Sequence, residues 1–311
     1  MTAVLFGIVY AGVLVFVIAS IARACYYAKL PIHLRWELYP VPHEDPKRVK
    51  HGGSYFEEID WWTKPRKTNL AGELAAMVPE MLFMVALWEH NRKLWIRSFP
   101  FHFGLYLLIG TTGLLLISAL LTIFVPALMA GSFGLFMHWV YTVTGIAGVI
   151  LSILGAAGLL ARRLTDKMLK PYTTAGDIFN LVFFIATFVV LGAAYLIHRP
   201  DFGGTLALTV GLLRFDTAIQ VPLLAKAGIV MGAVLAAYIP LTHMSHFVGK
   251  YFTYHAVRWS DEPNMRGSEL EKRLAEYLTY RPTWAASHVT ADGLRTWVDI
   301  ATTNPAQGGR K

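Results

Sequence analysis

FHFGLYLLIGTTGLLLISALLTIFVPAL, Phe101 to Leu128, decides the fold. This stretch holds no Asp, Glu, Lys or Arg, and it outruns the ~20 apolar residues an α-helix needs to cross a bilayer core. Four more runs read the same way: Thr2 to Ala24, Phe136 to Leu160, Ile178 to Ile197 and Val221 to Val248. Composition agrees. A soluble domain carries about 25% charged residues, whereas this chain is 15% charged and 55% hydrophobic, with a mean hydropathy of +0.46. The expected fold is all-α and integral to the membrane, a five-helix transmembrane bundle.

Thr2 to Ala24 is too long for a signal-peptide core and lacks a basic start, so it reads as a retained span. Lys29, Arg35, Lys47, Arg48, Lys50, Lys64, Arg66, Lys67, Arg92, Lys93 and Arg97 lie between spans one and two. Arg162, Arg163, Lys167 and Lys170 fill the turn between spans three and four, while the opposite loops hold only Arg199 and Arg214. The positive-inside rule then predicts the N-terminus outside and the C-terminus in the cytoplasm of a multi-pass cell (inner) membrane protein. The net charge of +8 follows from that bias and does not point to nucleic acid. A single cysteine, Cys25, excludes a disulfide framework, a cysteine-ligated iron–sulfur cluster and covalent c-type haem within this chain.

The chain divides into a first span (1–25), a cytoplasmic loop (26–98), spans two to five (99–249) and a cytoplasmic tail (250–311). Leu70 to Trp88 is apolar but contains Glu73, Pro79 and Glu80. Two carboxylates in lipid are costly, so the segment reads as an interfacial helix, with a sixth span as the alternative. The rest of the loop has too little aliphatic content for a core of its own and is expected to drape over the membrane face or a partner. There is no internal repeat and no Gly-rich phosphate loop.

Of eleven histidines, His33, His43, His51, His90, His255 and His288 fall in soluble stretches and read as surface residues. His198 ends span four at an interface, and His138 starts span three near the outer face. His102 opens span two; His243 and His246 close span five. Ionisable residues inside a membrane are functional candidates, and neutral imidazole is a common axial haem ligand. Span two enters from the side that span five leaves towards, so His102 and His243 match in depth. They read either as a facing ligand pair or as two unrelated interfacial histidines.

Three motifs carry a resemblance: FHFG at Phe101 to Gly104, ARRLTDKMLKPYTTAGDIFNL at Ala161 to Leu181, and LTHMSHFVGKYFTYHAVR at Leu241 to Arg258. In this order they resemble the gamma (cytochrome b) subunit family of respiratory nitrate reductase. Within it they are most similar to the membrane cytochromes of the Dsr, Tmc and heterodisulfide-reductase complexes. The resemblance covers roughly Phe99 to Arg258. It implies haem b held by His102 and His243, with His246 as the fallback ligand. Where the family places ligands for a second, outer haem, this chain has Thr112 and Ala225. One haem is therefore expected, and His138 with His198 offers another route to a second.

The expected role is electron exchange between a membrane quinone, menaquinone by the resemblance, and a cytoplasmic iron–sulfur (heterodisulfide-reductase-like) or flavin subunit. A periplasmic cytochrome c is a further optional partner. On the inner side Tyr106, Asp177 and His246 are candidates for quinone and proton contacts; on the outer side they are His138 and Lys226. As one continuous helix, Lys226 and His243 would lie roughly 25 Å apart, which favours the inner site for a single haem. The competing class is a haem-free membrane anchor or ion-translocating subunit.

Overall fold

A computed structural model describes residues 2–30, 41–50, 53–65, 68–198, 202–283 and 291–303. Among these there are helices and turns but no strand. Five helices are long and apolar enough to cross a membrane. They are α1 (Thr2–Ala28), α4 (Arg92–Phe124), α5 (Ser132–Thr165), α6 (Ala175–His198) and α8 (Leu223–Tyr238, continued by a 3₁₀ turn at Ile239–Leu241). Large apolar side chains on these helices point outwards, among them Ile18, Ile109, Phe124, Trp139, Leu154 and Leu196. In water that pattern would be an aggregation hazard; against lipid it is the stable arrangement.

The segment Leu70 to Trp88 does not form one unbroken helix. It folds as α2 (Leu70–Phe83) and the short α3 (Val85–His90), separated by Met84 in the left-handed region at φ 54°. Fourteen residues rise about 21 Å, well short of a bilayer core. The Glu80 carboxylate accepts the Ala86 amide N–H at 2.8 Å, doing for α3 what a capping side chain does. Asn91 then caps α4, its side chain accepting from the Leu94 amide. This cap starts α4 well before Phe101.

Two compact units emerge. The first comprises residues 1–21 and 73–245. In it α4 packs on α5, α5 on α6, and α6 on α8. The α4–α5 approach is backbone to backbone. A Cβ on Gly155 would lie 2.3 Å from the Phe101 nitrogen, and one on Gly104 would lie 2.5 Å from Ser152 Oγ. The first half of α1 docks through Gly12 against Ala233 and through the Tyr10 hydroxyl, which donates to the Leu212 carbonyl at 2.6 Å. Between α6 and α8 lies an unexpected helix, α7 (Phe202–Arg214), too short to span and packed on α4 and α5.

Span five departs most from expectation. It does not run unbroken to Val248. Pro240 has no N–H and its ring clashes with the preceding turn, so α8 tightens to 3₁₀ and Thr242 turns extended (φ −114°, ψ −176°). His243 sits on a second 3₁₀ turn (His243–Ser245), which runs directly into α9 (His246–Phe252). The single-helix spacing assumed between Lys226 and His243 therefore does not apply.

The second unit comprises residues 22–72 and 246–311. The loop and tail build a shared core, with Val41, Tyr254, Trp259 and Leu270 buried. His43 is not a surface residue. It is buried, its Nε2 is 2.9 Å from Asp261 Oδ2, and its ring meets Trp259 edge-on. Its partners come from the tail, so no local pattern around His43 announces its burial. His90 is exposed and His255 half-buried, while His33, His51 and His288 lie outside the described residues.

Candidate functional site

The motif Thr174-Ala-Gly-Asp177 builds the first part of the site. The Asp177 carboxylate accepts from the Thr174 amide and hydroxyl, both at 2.9 Å. The Thr174 hydroxyl oxygen in turn accepts the Asp177 N–H at 3.2 Å. This reciprocal cap starts α6 and holds the carboxylate at its positive end. Arg163, in the last turn of α5, brings its guanidinium to 3.4 Å from Asp177 Oδ2. On the other carboxylate oxygen, His243 Nε2 stands 3.9 Å away.

One turn further along α6, Asn180 is buried. The Tyr238 hydroxyl donates to its Oδ1 at 2.8 Å, and its Nδ2 lies 3.4 Å from His243 Nε2. The His243 side chain is otherwise 68% exposed. His102 is held by its own helix. Its Nδ1 is 2.8 Å from the Ser98 carbonyl; a carbonyl only accepts, so Nδ1 carries the proton and Nε2 is the base. The residues next to the two histidines, Phe101 and Met244, pack in one core with Phe184, Phe188, Ala156 and Leu235. Phe101 and Phe184 meet edge to face at 5.1 Å.

The other candidates are placed as follows. The Tyr106 hydroxyl donates to the Met81 carbonyl at 2.7 Å, tying α4 to the last turn of α2. His246 opens α9 in the second unit. His138 lies 3.2 Å from the buried Tyr141 hydroxyl. Lys226 occupies the first turn of α8, part-buried, with no side-chain hydrogen bond or ion pair among the described residues. His138 and Lys226 share the end of the bundle opposite Asp177, since Arg163 and His138 stand at opposite ends of α5. The Thr112 hydroxyl donates back to Leu108 on an exposed face, and the His198 side chain lies outside the described residues.

The chain was compared with protein-family models, characterised proteins and solved structures. None matches.

Among the described residues no three His, Cys, Asp or Glu side chains converge. His102 and His243 lie towards the Asp177 end of the bundle, each within reach of one neighbour on its own side, Ser98 and Asn180. Asn180, Tyr238 and Arg163 were not among the sequence candidates. Asn180 carried a usable signal, a lone amide inside an apolar span.

Proposed function

We propose that this chain is the haem b-bearing, quinone-reactive membrane subunit of a respiratory redox complex, with its N-terminus outside and its basic loop, interfacial α2 and tail in the cytoplasm. One observation carries the reading. The Ser98 carbonyl leaves Nε2 of His102 as the base nitrogen, and the chain neighbours of His102 and His243, Phe101 and Met244, share one apolar core at one end of the bundle. The three motifs that resemble the nitrate reductase gamma subunit family support it.

His102 and His243 are the residues that would hold the haem; bound there, haem supplies one-electron transfer. The chain's own groups do the rest. The Ser98 carbonyl fixes the His102 tautomer, the kind of outer contact that sets ligand orientation. Phe101, Phe184 and Phe188 supply an apolar wall on the inner side of these residues, while the His243 side chain stays 68% exposed. Asp177, paired with Arg163 and accepting from Thr174, is the acceptor among the inner-side quinone and proton candidates, with Tyr106 and His246 as the others. His138 and Lys226 form the outer-side alternative. The cytoplasmic partner is an iron–sulfur or flavin subunit, and menaquinone is the exchangeable substrate.

A haem-free anchor is the second reading, because Asn180 already donates to His243 Nε2. The dithionite-reduced visible spectrum of the purified chain decides between them. An alpha band lost in both His102→Ala and His243→Ala is expected. A chain purified with no haem after expression beside its partners, or a band surviving both substitutions, overturns the proposal.

A further inference from the structure

We infer that the basic end of α4 and α5 holds a binding site for a phosphate-bearing anion, and that its occupant is the head group of an anionic phospholipid. A cavity of about 340 Å³ lies between the first turn of α4 and the last turn of α5. Asn91, Lys93, Arg97, Arg162, Thr165 and Asp166 line it. Three cations thus face one carboxylate. Asp166 is taken by Arg162, its Oδ2 lying 3.5 Å from Nε. Arg97 gives one N–H to the Lys93 carbonyl at 2.7 Å, and the rest of its planar fork remains to meet phosphate oxygens.

Two features make this a built cleft and not merely a basic surface. The Arg97 stem rests on Gly158, where a Cβ would come within 3.3 Å of Arg97 Cγ; the missing side chain lets the stem lie against α5. The cavity also opens at the N-terminus of α4, the positive end of a 33-residue helix, which favours an anion there.

Position selects the lipid over a soluble anion. From Ser98 to Phe124 on α4 and from Ser132 to Ala161 on α5 there is no Asp, Glu, Lys or Arg. The cavity therefore sits where the uncharged part of both spans ends, the level at which phospholipid phosphates lie. Ile96 and Leu164, 62% and 51% exposed, flank it with apolar surface for acyl chains.

The test uses the full chain, purified in mild detergent and delipidated, then offered phosphatidylglycerol, phosphatidylcholine or millimolar inorganic phosphate. Native mass spectrometry reads retained lipid and thermal unfolding reads protection. Phosphatidylglycerol alone is expected to be retained and to protect. Each cation replaced by Gln should weaken retention about fivefold, so Lys93→Gln/Arg97→Gln/Arg162→Gln loses on the order of a hundredfold. Lys167→Gln/Lys170→Gln, basic but outside the cavity, should retain the lipid. Asp166→Asn removes the competing carboxylate and should strengthen retention, which keeps the test decisive if the triple variant misfolds. Undiminished retention in a helical triple variant, weaker retention in Asp166→Asn, or equal retention of phosphatidylcholine overturns the site. Equal protection by inorganic phosphate overturns the lipid assignment.

Discussion

Asn180 Nδ2 stands 3.4 Å from His243 Nε2 while the Asn180 carbonyl oxygen takes the Tyr238 hydroxyl. One buried amide on α6 thereby reaches a histidine that the Pro240 break has released from α8.

Replacing Asn180 should therefore act on these two contacts before it acts on the fold. Asn180→Leu keeps the volume and removes both hydrogen bonds, at a cost of about 1–3 kcal/mol for the polar groups left behind. We expect a chain that still inserts and keeps its alpha band, because the ring nitrogen that Asn180 contacts is the one that would bind haem and the contact is given up on binding. Loss of the band in Asn180→Leu would show that His243 depends on Asn180 in some other way.

The α4–α5 contact tolerates no side chain at its closest points. Gly155→Val must push aside the Phe101 backbone, and overpacking of this kind costs about 1–3 kcal/mol. Thermal unfolding in detergent should fall by several degrees. Gly110→Ala is the control, since a Cβ there meets nothing within 4 Å; it should unfold like the parent.

In the second unit, loop and tail are joined by His43 and Asp261, 218 residues apart. Asp261→Ala leaves a buried imidazole without its carboxylate oxygen. Limited proteolysis should then cut within residues 41–69 at least several-fold faster, while the spans remain intact. Equal cleavage rates would mean that the apolar contacts of Val41 and Trp259 suffice.

Cys25, the sole cysteine, is exposed at the end of α1 and reports topology without engineering. With the N-terminus outside, a membrane-impermeant maleimide should label it in inverted vesicles and not in intact cells. Labelling of intact cells alone would reverse the orientation.

The spans were legible in the sequence because transfer into a bilayer is summed residue by residue along one helix. Phe101 to Leu128 needs no knowledge of its neighbours to read as membrane-crossing. The Thr174–Asp177 cap is equally local, and Pro240, once weighed, marks the end of regular helix in span five. Helix α7 escaped because its apolar run is short and its stability comes from α4 and α5, not from its own pattern. Tertiary structure alone placed Tyr238, Asn180 and His243 in one chain of hydrogen bonds and put His43 against Asp261. Such bonds form between residues far apart in sequence, and they depend on how each helix is rotated and where each loop closes. Hydropathy and spacing carry neither quantity; packing of side chains against one another decides both.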